Sequence, residues 1–330
     1  MSMRVFVTGG AGYIGSHVVR RLLHAGHDVL VYDNLSSGHR EALPQAPLVV
    51  GDITDTAHLR QTLIDYHPDA VMHFAGLISV SESTSEPDRY YRVNTLAGLS
   101  LLSLMHELGI MRIVFSSTAA VYGVPLQVPI PESHPTAPIN PYGCSKLAFE
   151  FMLSSFSRAY GLGFVSLRYF NAAGADPSGD IGEDHPVESH LVPLVLRTAL
   201  NDGPPLCVYG DDYDTPDGTC IRDYIHVTDL ADAHVLALPA IVKGQGAFYN
   251  VGTGSGHSVR QVISAAEAVI GRPVPFTVAP RRPGDPPVLV ASGDRIARDL
   301  GWKPKLSSLQ DILRSAWKWH QSHPHGFRKS

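Results

Sequence analysis

The chain has 330 residues, 44% hydrophobic and 8% aromatic, enough apolar mass for roughly two domains around a sizeable core. Only 17% are charged, against about 25% in ordinary globular chains, and the net charge is −5. That balance excludes a disordered chain and argues against a nucleic-acid or anionic-membrane surface, and the three scattered cysteines (Cys144, Cys207, Cys220) form neither a disulfide framework nor a zinc pattern.

Val5–Thr8 reads as the first buried strand, so close to Met1 that no signal peptide fits. No apolar run approaches the ~18 residues of a membrane span. Cytoplasmic location, no membrane partner and no resident metal are the expectations.

Further short runs rich in Val and Ile, bounded by turn residues, predict strands at Val29–Tyr32, Leu48–Val50, Ala70–Phe74 and Ile113–Ser116. Helical periodicity lies between them at Ile14–Ala25, Thr56–Tyr66 and Asp88–Leu108. This βαβ rhythm predicts a Rossmann-like, doubly wound parallel sheet with right-handed crossovers.

The link from the first strand to its helix is Thr8-Gly9-Gly10-Ala11-Gly12-Tyr13-Ile14-Gly15, a setting in which backbone amides at a helix N-terminus approach a pyrophosphate. The G-x-x-G-x-x-G spacing alone also fits a tight turn with no ligand. Asp33 ends the second strand, where an acid binds the adenosine ribose and repels a 2′-phosphate, which points to NAD rather than NADP. A turn-forming Asp beside Asn34 is the alternative there. Gly51-Asp52-Ile53 and Phe74-Ala75-Gly76 end the next two strands with small residues against which a nucleotide could lie.

Phe115-Ser116-Ser117-Thr118 closes the fifth strand with three hydroxyls, which could hold a reacting oxygen or simply satisfy nearby backbone. Five prolines between Leu126 and Pro141 forbid a continuous helix or central strand. A helix then starts with Asn140 as N-cap and Pro141 at its first position. It carries Tyr142 and Lys146 at i and i+4, on one face. Lowering a phenol from its usual pKa near 10 to about 7 takes on the order of 4 kcal/mol. A cation about 5 Å away supplies roughly 3 kcal/mol at an effective dielectric of 20, so Lys146 with an oxidised nicotinamide would make Tyr142 a general base. Taken alone, such a pair is an ordinary surface contact.

Gly163–Arg168 predicts a sixth strand. Composition then shifts to Gly, Pro and Asp at Asn171–Pro186 and Asp202–Asp217, while Ser258-x-x-Gln261 forms a capping box for a helix that Gly271 ends. We read residues 1–172, with segments returning from the C-terminal half, as the cofactor-binding domain. Residues 173–330 form a smaller, partly loop-built α/β substrate-binding domain.

Together, Thr8–Gly15, Ser116–Thr118 and Tyr142-x-x-x-Lys146 resemble the extended short-chain dehydrogenase/reductase superfamily. The likeness runs on through His73–Gly76, Arg168-Tyr169-Phe170-Asn171, Pro177–Asp180, Arg222–Val227 and Ala279–Asp285, from Met3 to about Trp319. Within the superfamily these blocks are similar to the UDP-hexose 4-epimerases.

The resemblance implies oxidation of a UDP-glucose or UDP-galactose at C4 by tightly held NAD. The resulting 4-keto sugar turns about its diphosphate and is reduced on its other face. Tyr142 would take the 4-hydroxyl proton, Lys146 would lower its pKa and bind the nicotinamide ribose, and Thr118 would hold the 4-oxygen. The implied cofactor contacts are Gly9, Gly12, Tyr13, Ile14, Gly15, Asp33, Asn34, Asp52, Ile53, Phe74, Ala75, Gly76, Asn94, Ser116 and Tyr169, besides Tyr142 and Lys146. On the substrate side, Asn171, Arg222 and Arg282 would grip the diphosphate, with Asp285 near its ribose. Leu191, Cys207, Tyr209 and Tyr224 would line the nucleotide pocket, with His190 where some members carry Asn. Leu289 falls at the sugar-size gate, between the bulky Tyr that favours plain hexoses and the small residues that admit N-acetylated ones. Thr118 stands where many members have Ser, and Ile78 where some have a cofactor-contacting Lys. A homodimer through the helices at 88–108 and 142–160 is likewise implied.

Other chemistries on this scaffold remain open. A dehydratase needs an acid pair after the threonine, where this chain has Ala119 and Ala120. An epimerase for N-acetylhexosamines or pentoses would differ only in pocket size. A non-catalytic dinucleotide sensor would be expected to lose the Tyr/Lys pair.

Overall fold

In the computed structural model the described residues are 2–43, 45–200, 205–282 and 285–327. Pro283 and Gly284 of the 279–285 block, and Asp202 at the start of the 202–217 shift, lie outside them.

The N-terminal part alternates β1 (Arg4–Thr8), α1 (Tyr13–His24), β2 (Asp28–Asp33), β3 (Leu48–Val50), α2 (Thr56–Tyr66) and β4 (Ala70–His73). It continues with α3 (Val80–Ser85), α4 (Pro87–Tyr90), a π-helical turn (Tyr91–Leu96), α5 (Ala97–Glu107), β5 (Arg112–Ser116), α6 (Pro141–Tyr160) and β6 (Gly163–Arg168). After these come β7 (Asn171–Ala173), α7 (Leu191–Ala199), β8 (Leu206–Tyr209), β9 (Ile221–His226), α8 (Val227–Ala237) and β10 (Gly246–Asn250). The chain closes with β11 (Gly256–Ser258), α9 (Val259–Ile270), β12 (Phe276–Ala279), β13 (Val288–Leu289), α10 (Asp294–Leu300) and α11 (Leu309–Ser322).

Seven strands form one parallel sheet in the order β10-β6-β5-β4-β1-β2-β3. Alternation along each strand splits the core in two. Val5, Val7, Val29, Val31 and Val114 face α1 and α8, burying against Val18, Leu22, Leu230 and Ala233. Phe6, Val71, Ile113 and Phe115 face the other way, onto Leu59, Leu101, Met105, Phe149 and Leu153 of α2, α5 and α6. Each such fully buried side chain contributes about 1.5–3 kcal/mol, which explains why strands buried on both faces read as unbroken apolar runs.

The caps work as the sequence predicts. Asn140 accepts from the Gly143 amide at 2.8 Å, and Gly161 ends α6 in the left-handed region at φ 79°. Ser258 and Gln261 close the capping box of α9, and Gly271 terminates it.

Two expectations are corrected. The helix predicted over Asp88–Leu108 is interrupted by the π-helical turn, which carries the buried Asn94. Its carboxamide bonds both backbone groups of Leu77 and the Ser145 hydroxyl, a demand that regular α-winding periodicity does not reveal. The helix α3, capped by Ser79, was not expected in its serine-rich stretch.

The C-terminal half sets short strands and helices between its loops. β7 lies beside β9 in a four-stranded sheet with β11 and β13, β8 pairs with β12, and α7, α9 and α11 pack a separate core around Val195, Leu196, Ile263, Ile312 and Leu313. It also returns α8 and β10 to the large sheet. Among the described residues no helix is long and apolar enough to cross a membrane.

Candidate active site

The ends of β1, β2, β3, β4 and β5 open on the carboxyl edge of the large sheet, where ligands bind in open α/β folds. Gly9 has φ 70°, and a Cβ there would stand 2.4 Å from the Ala75 amide; one at Gly15 would stand 2.3 Å from the Gly9 carbonyl. Both glycines are therefore required by the fold. At Gly12 the nearest protein atom is 3.5 Å away, so packing makes no such demand there. Gly12 is the N-cap of α1, whose first turn has neither a side-chain cap nor an acid, leaving the positive end of the helix dipole for an anion. These features fit a dinucleotide's pyrophosphate.

The Asp33 carboxylate is tied through both of its oxygens. One carboxylate oxygen accepts from the Leu35 amide at 2.8 Å, as in a turn, and the other from Ala11 in the glycine loop at 2.9 Å. Burial pushes its pKa up against those two bonds. Asn34 donates to Asp52 at 2.7 Å, Ile53 is buried in the core, and Phe74 packs on His234. The Ile14 side chain joins the core beside α1, while the Tyr13 phenol donates to the Gly174 carbonyl at 2.7 Å, linking the glycine loop to the segment after β7. Ala75 donates to Thr8, and Gly76 faces Asn94 and the Lys146 ammonium.

At the end of β5, Ser116 bonds the Tyr169 phenol through its hydroxyl and accepts from Lys146 Nζ at 3.1 Å through its carbonyl. Thr118 bonds Tyr142. The strand-end hydroxyls and the Tyr/Lys pair are thus brought together. Burial pushes the Tyr142 phenol up, and the Thr118 hydrogen bond opposes it. Burial pulls Lys146 down to about 8, against the opposing charge of Glu150.

Across the cleft, Asn171, His190, Leu191 and Tyr224 line one small cavity. Asn171 is fixed by donating to the Asp223 carbonyl at 3.0 Å. Arg222 donates to the Ile221 and Pro286 carbonyls and pairs with Asp285 at 3.3 Å. Leu289 stands opposite Arg222 in the β9–β13 ladder and packs beside Tyr122 and Ile130. A further grouping has the Arg282 guanidinium 4.0 Å from the Tyr209 ring centroid and half-buried Cys207 in β8. Ile78 is 49% exposed.

Sequence reading passed over two clusters. Glu150, 1% exposed, accepts from Ser117, Ser166 and Arg168 beneath the Tyr/Lys pair; its spacing of four from Lys146 was available as a signal. Glu183, His185, Glu188 and His190 bring four ligand-type atoms within 4.8 Å of one another. Both imidazoles pair with both carboxylates, which raises His185 and lifts His190 to about 9 against burial. The E-x-H-x-x-E-x-H alternation was the visible sign.

Residues 5–252 match the NAD dependent epimerase/dehydratase family. The chain is 56% identical over 323 residues to a UDP-glucose 4-epimerase of Azospirillum brasilense, covering 97% of this chain and 93% of the relative. It superposes with TM-score 0.92 on a UDP-glucose 4-epimerase from Brucella ovis in complex with NAD, 47% identical and covering 95% and 97% of the two chains. The enzyme from Bifidobacterium longum in complex with NAD+ and UDP gives TM-score 0.94 at 40% identity, with 98% and 100% covered.

Proposed function

The chain belongs to the NAD dependent epimerase/dehydratase family, and from that premise we propose that it interconverts UDP-glucose and UDP-galactose by epimerisation at C4. The observation that carries the reading is the meeting of Tyr142, Thr118 and Lys146 at the carboxyl edge of the sheet, beside a glycine loop suited to NAD. NAD, held by the glycine loop and the neighbouring strand ends, would supply the hydride acceptor and donor for the sugar carbon.

The chain's own residues do the rest. Tyr142 takes the proton of the sugar 4-hydroxyl and returns it after the sugar has turned, acting as base and then as acid at one oxygen. Thr118 holds that oxygen beside the phenol. Lys146, anchored on the Ser116 carbonyl, keeps positive charge next to the site. Arg222 and Arg282 grip the diphosphate through planar forks, while Asn171, His190, Leu191, Cys207, Tyr209, Tyr224 and Asp285 hold the rest of the nucleotide. Leu289 bounds the sugar, and its intermediate bulk makes N-acetylated and pentose substrates the comparison to run.

Residues 1–172 act as the cofactor domain with α8 and β10 returned to it, and residues 173–330 bind the UDP-sugar. A homodimer is supported by exposed Tyr91, Leu96, Leu99 and Phe151 on the π-helical turn, α5 and α6. A reducing, cytoplasmic setting is supported by three free cysteines.

The test is conversion of UDP-galactose to UDP-glucose by purified protein without added nicotinamide cofactor. Turnover that required stoichiometric NADH would replace this reading with that of a reductase. UDP-N-acetylgalactosamine and UDP-arabinose assayed alongside read the Leu289 gate.

A further inference from the structure

Ser116, Ser117 and Thr118 continue the alternation of β5. Ser116 lies on the side of Val114, whereas Ser117 lies on the side of Phe115, whose ring meets Phe149 of α6 at 4.4 Å. Ser117 is therefore turned towards α6, and its hydroxyl donates to Glu150 at 2.7 Å. The same carboxylate oxygen accepts from Ser166 and from Arg168 Nε, both at 2.9 Å, and its partner oxygen accepts from Arg168 Nη2 at 2.6 Å. Glu150 thus pins the middle residue of a segment whose two neighbours serve Lys146 and Tyr142. It also sits one helical turn beyond Lys146 on the same face of α6.

We infer that Glu150 is a positioning residue for the epimerase reaction: its carboxylate fixes the Ser116–Thr118 strand end, and its charge keeps Lys146 a cation. The inference rests on the roles proposed above for Tyr142 and Lys146. Around the ammonium stand the Ser116 carbonyl and Phe115 ring of β5 and, beyond Gly76, Asn94 of the π-helical turn, with Tyr142 and Glu150 one turn before and after Lys146 on α6. His73 of β4 is pulled to about 3 by burial and by Lys146, so it brings no charge, and the Arg168 guanidinium of β6 is occupied by Glu150 and Tyr122. Glu150 is the anion acting on Lys146, opposing the burial that would strip its proton.

The test is the pH dependence of kcat and KM for UDP-galactose from about pH 6 to about pH 10. In E150Q the alkaline limb of kcat moves to lower pH by about one unit or more, with KM within about twofold. E150D, which keeps the charge, restores the limb. S117A, which removes only the pin, lowers kcat several-fold and leaves the limb in place. An E150Q limb that coincides with the native one, whatever happens to its melting temperature, overturns the inference and leaves Glu150 a purely structural partner of Arg168. Should E150Q fail to fold with Arg168 unpaired, E150Q/R168Q removes both charges and is judged by the same shift of the limb. Tyr142→Phe run in parallel separates the two readings: if it stays active, the assignment of the base fails first, and if it is inactive while the E150Q limb is unmoved, only the present inference fails.

Discussion

On the sheet side of the cleft the polar groups that face the site are tied to backbone and to neutral hydroxyls, Lys146 to the Ser116 carbonyl, Asn94 to Leu77 and Thr118 to Tyr142, and the ion pair of Glu150 with Arg168 is buried beneath them. On the opposite side charged side chains neutralise one another, Arg222 with Asp285 and His190 with Glu183 and Glu188. A corner anchored on strand ends is preorganised and changes little when a ligand arrives. Paired charges instead keep each other from standing bare, and a diphosphate must compete for Arg222 against Asp285. In the function proposed above, chemistry falls to the rigid side and substrate capture to the exchangeable one.

The largest effect expected from this contrast is on the rigid side. Tyr142→Phe removes the proton carrier without altering any packing of the fold, so kcat falls by about 10²–10⁴ while the melting temperature and NAD content stay near native. Near-native turnover would move the base elsewhere. Next come the glycines, which divide into those the fold needs and one the ligand needs. Gly9→Ala forces a side chain into the left-handed region and against Ala75, costing on the order of 3–5 kcal/mol of stability. Gly12→Ala meets no protein atom closer than 3.5 Å, so its melting temperature stays near native while NAD binds about tenfold more weakly. Thermal unfolding and NAD titration of both variants tell the two demands apart, and equal destabilisation would erase the distinction.

How legible each side was in the sequence follows the same line. The strand ends, the glycine loop and the helix opened by Asn140 and Pro141 depend on contacts within a few residues or on unbroken apolar runs, and all are where periodicity and capping put them. Asn94 and Glu150 depend on partners distant in sequence, Asn94 on Ser145 and Glu150 on Arg168, whereas the Glu183–His190 cluster lies within one short stretch whose alternation could have been read. Helical periodicity registers a buried polar residue only as an interruption, so the π-helical turn and the buried ion pair stayed hidden. The substrate side was legible only through resemblance, because Arg222 and Arg282 read from spacing alone are ordinary loop charges.

A smaller effect is expected at the exchangeable side. Arg222→Gln loses charge-assisted hydrogen bonds of about 1.5–3 kcal/mol to a diphosphate, so KM for the UDP-sugar rises about 10- to 100-fold with kcat much less affected. Initial rates across substrate concentration would check this split. A fall in kcat with unchanged KM would instead place Arg222 with the rigid corner.

The smallest effect belongs to His190. Its folded pKa, lifted to about 9 by Glu183 and Glu188, exceeds the usual 6.5, so the charged imidazole stabilises the fold fully below about pH 6.5 and loses that contribution as pH rises through about 9. The side chain is 43% exposed, so water screens the pair and the gain is held to about 1 kcal/mol or less. In a chain of this size that amounts to about 1–2 °C. His190→Gln should therefore melt about 1–2 °C below the native protein near pH 6.5 and together with it near pH 10. Subtracting the two melting curves at each pH cancels every other titrating group. A difference that grew with pH would mean that His190 is held neutral, and the cluster would then be a hydrogen-bond network and not the ion-pair network that the contrast between the two sides requires.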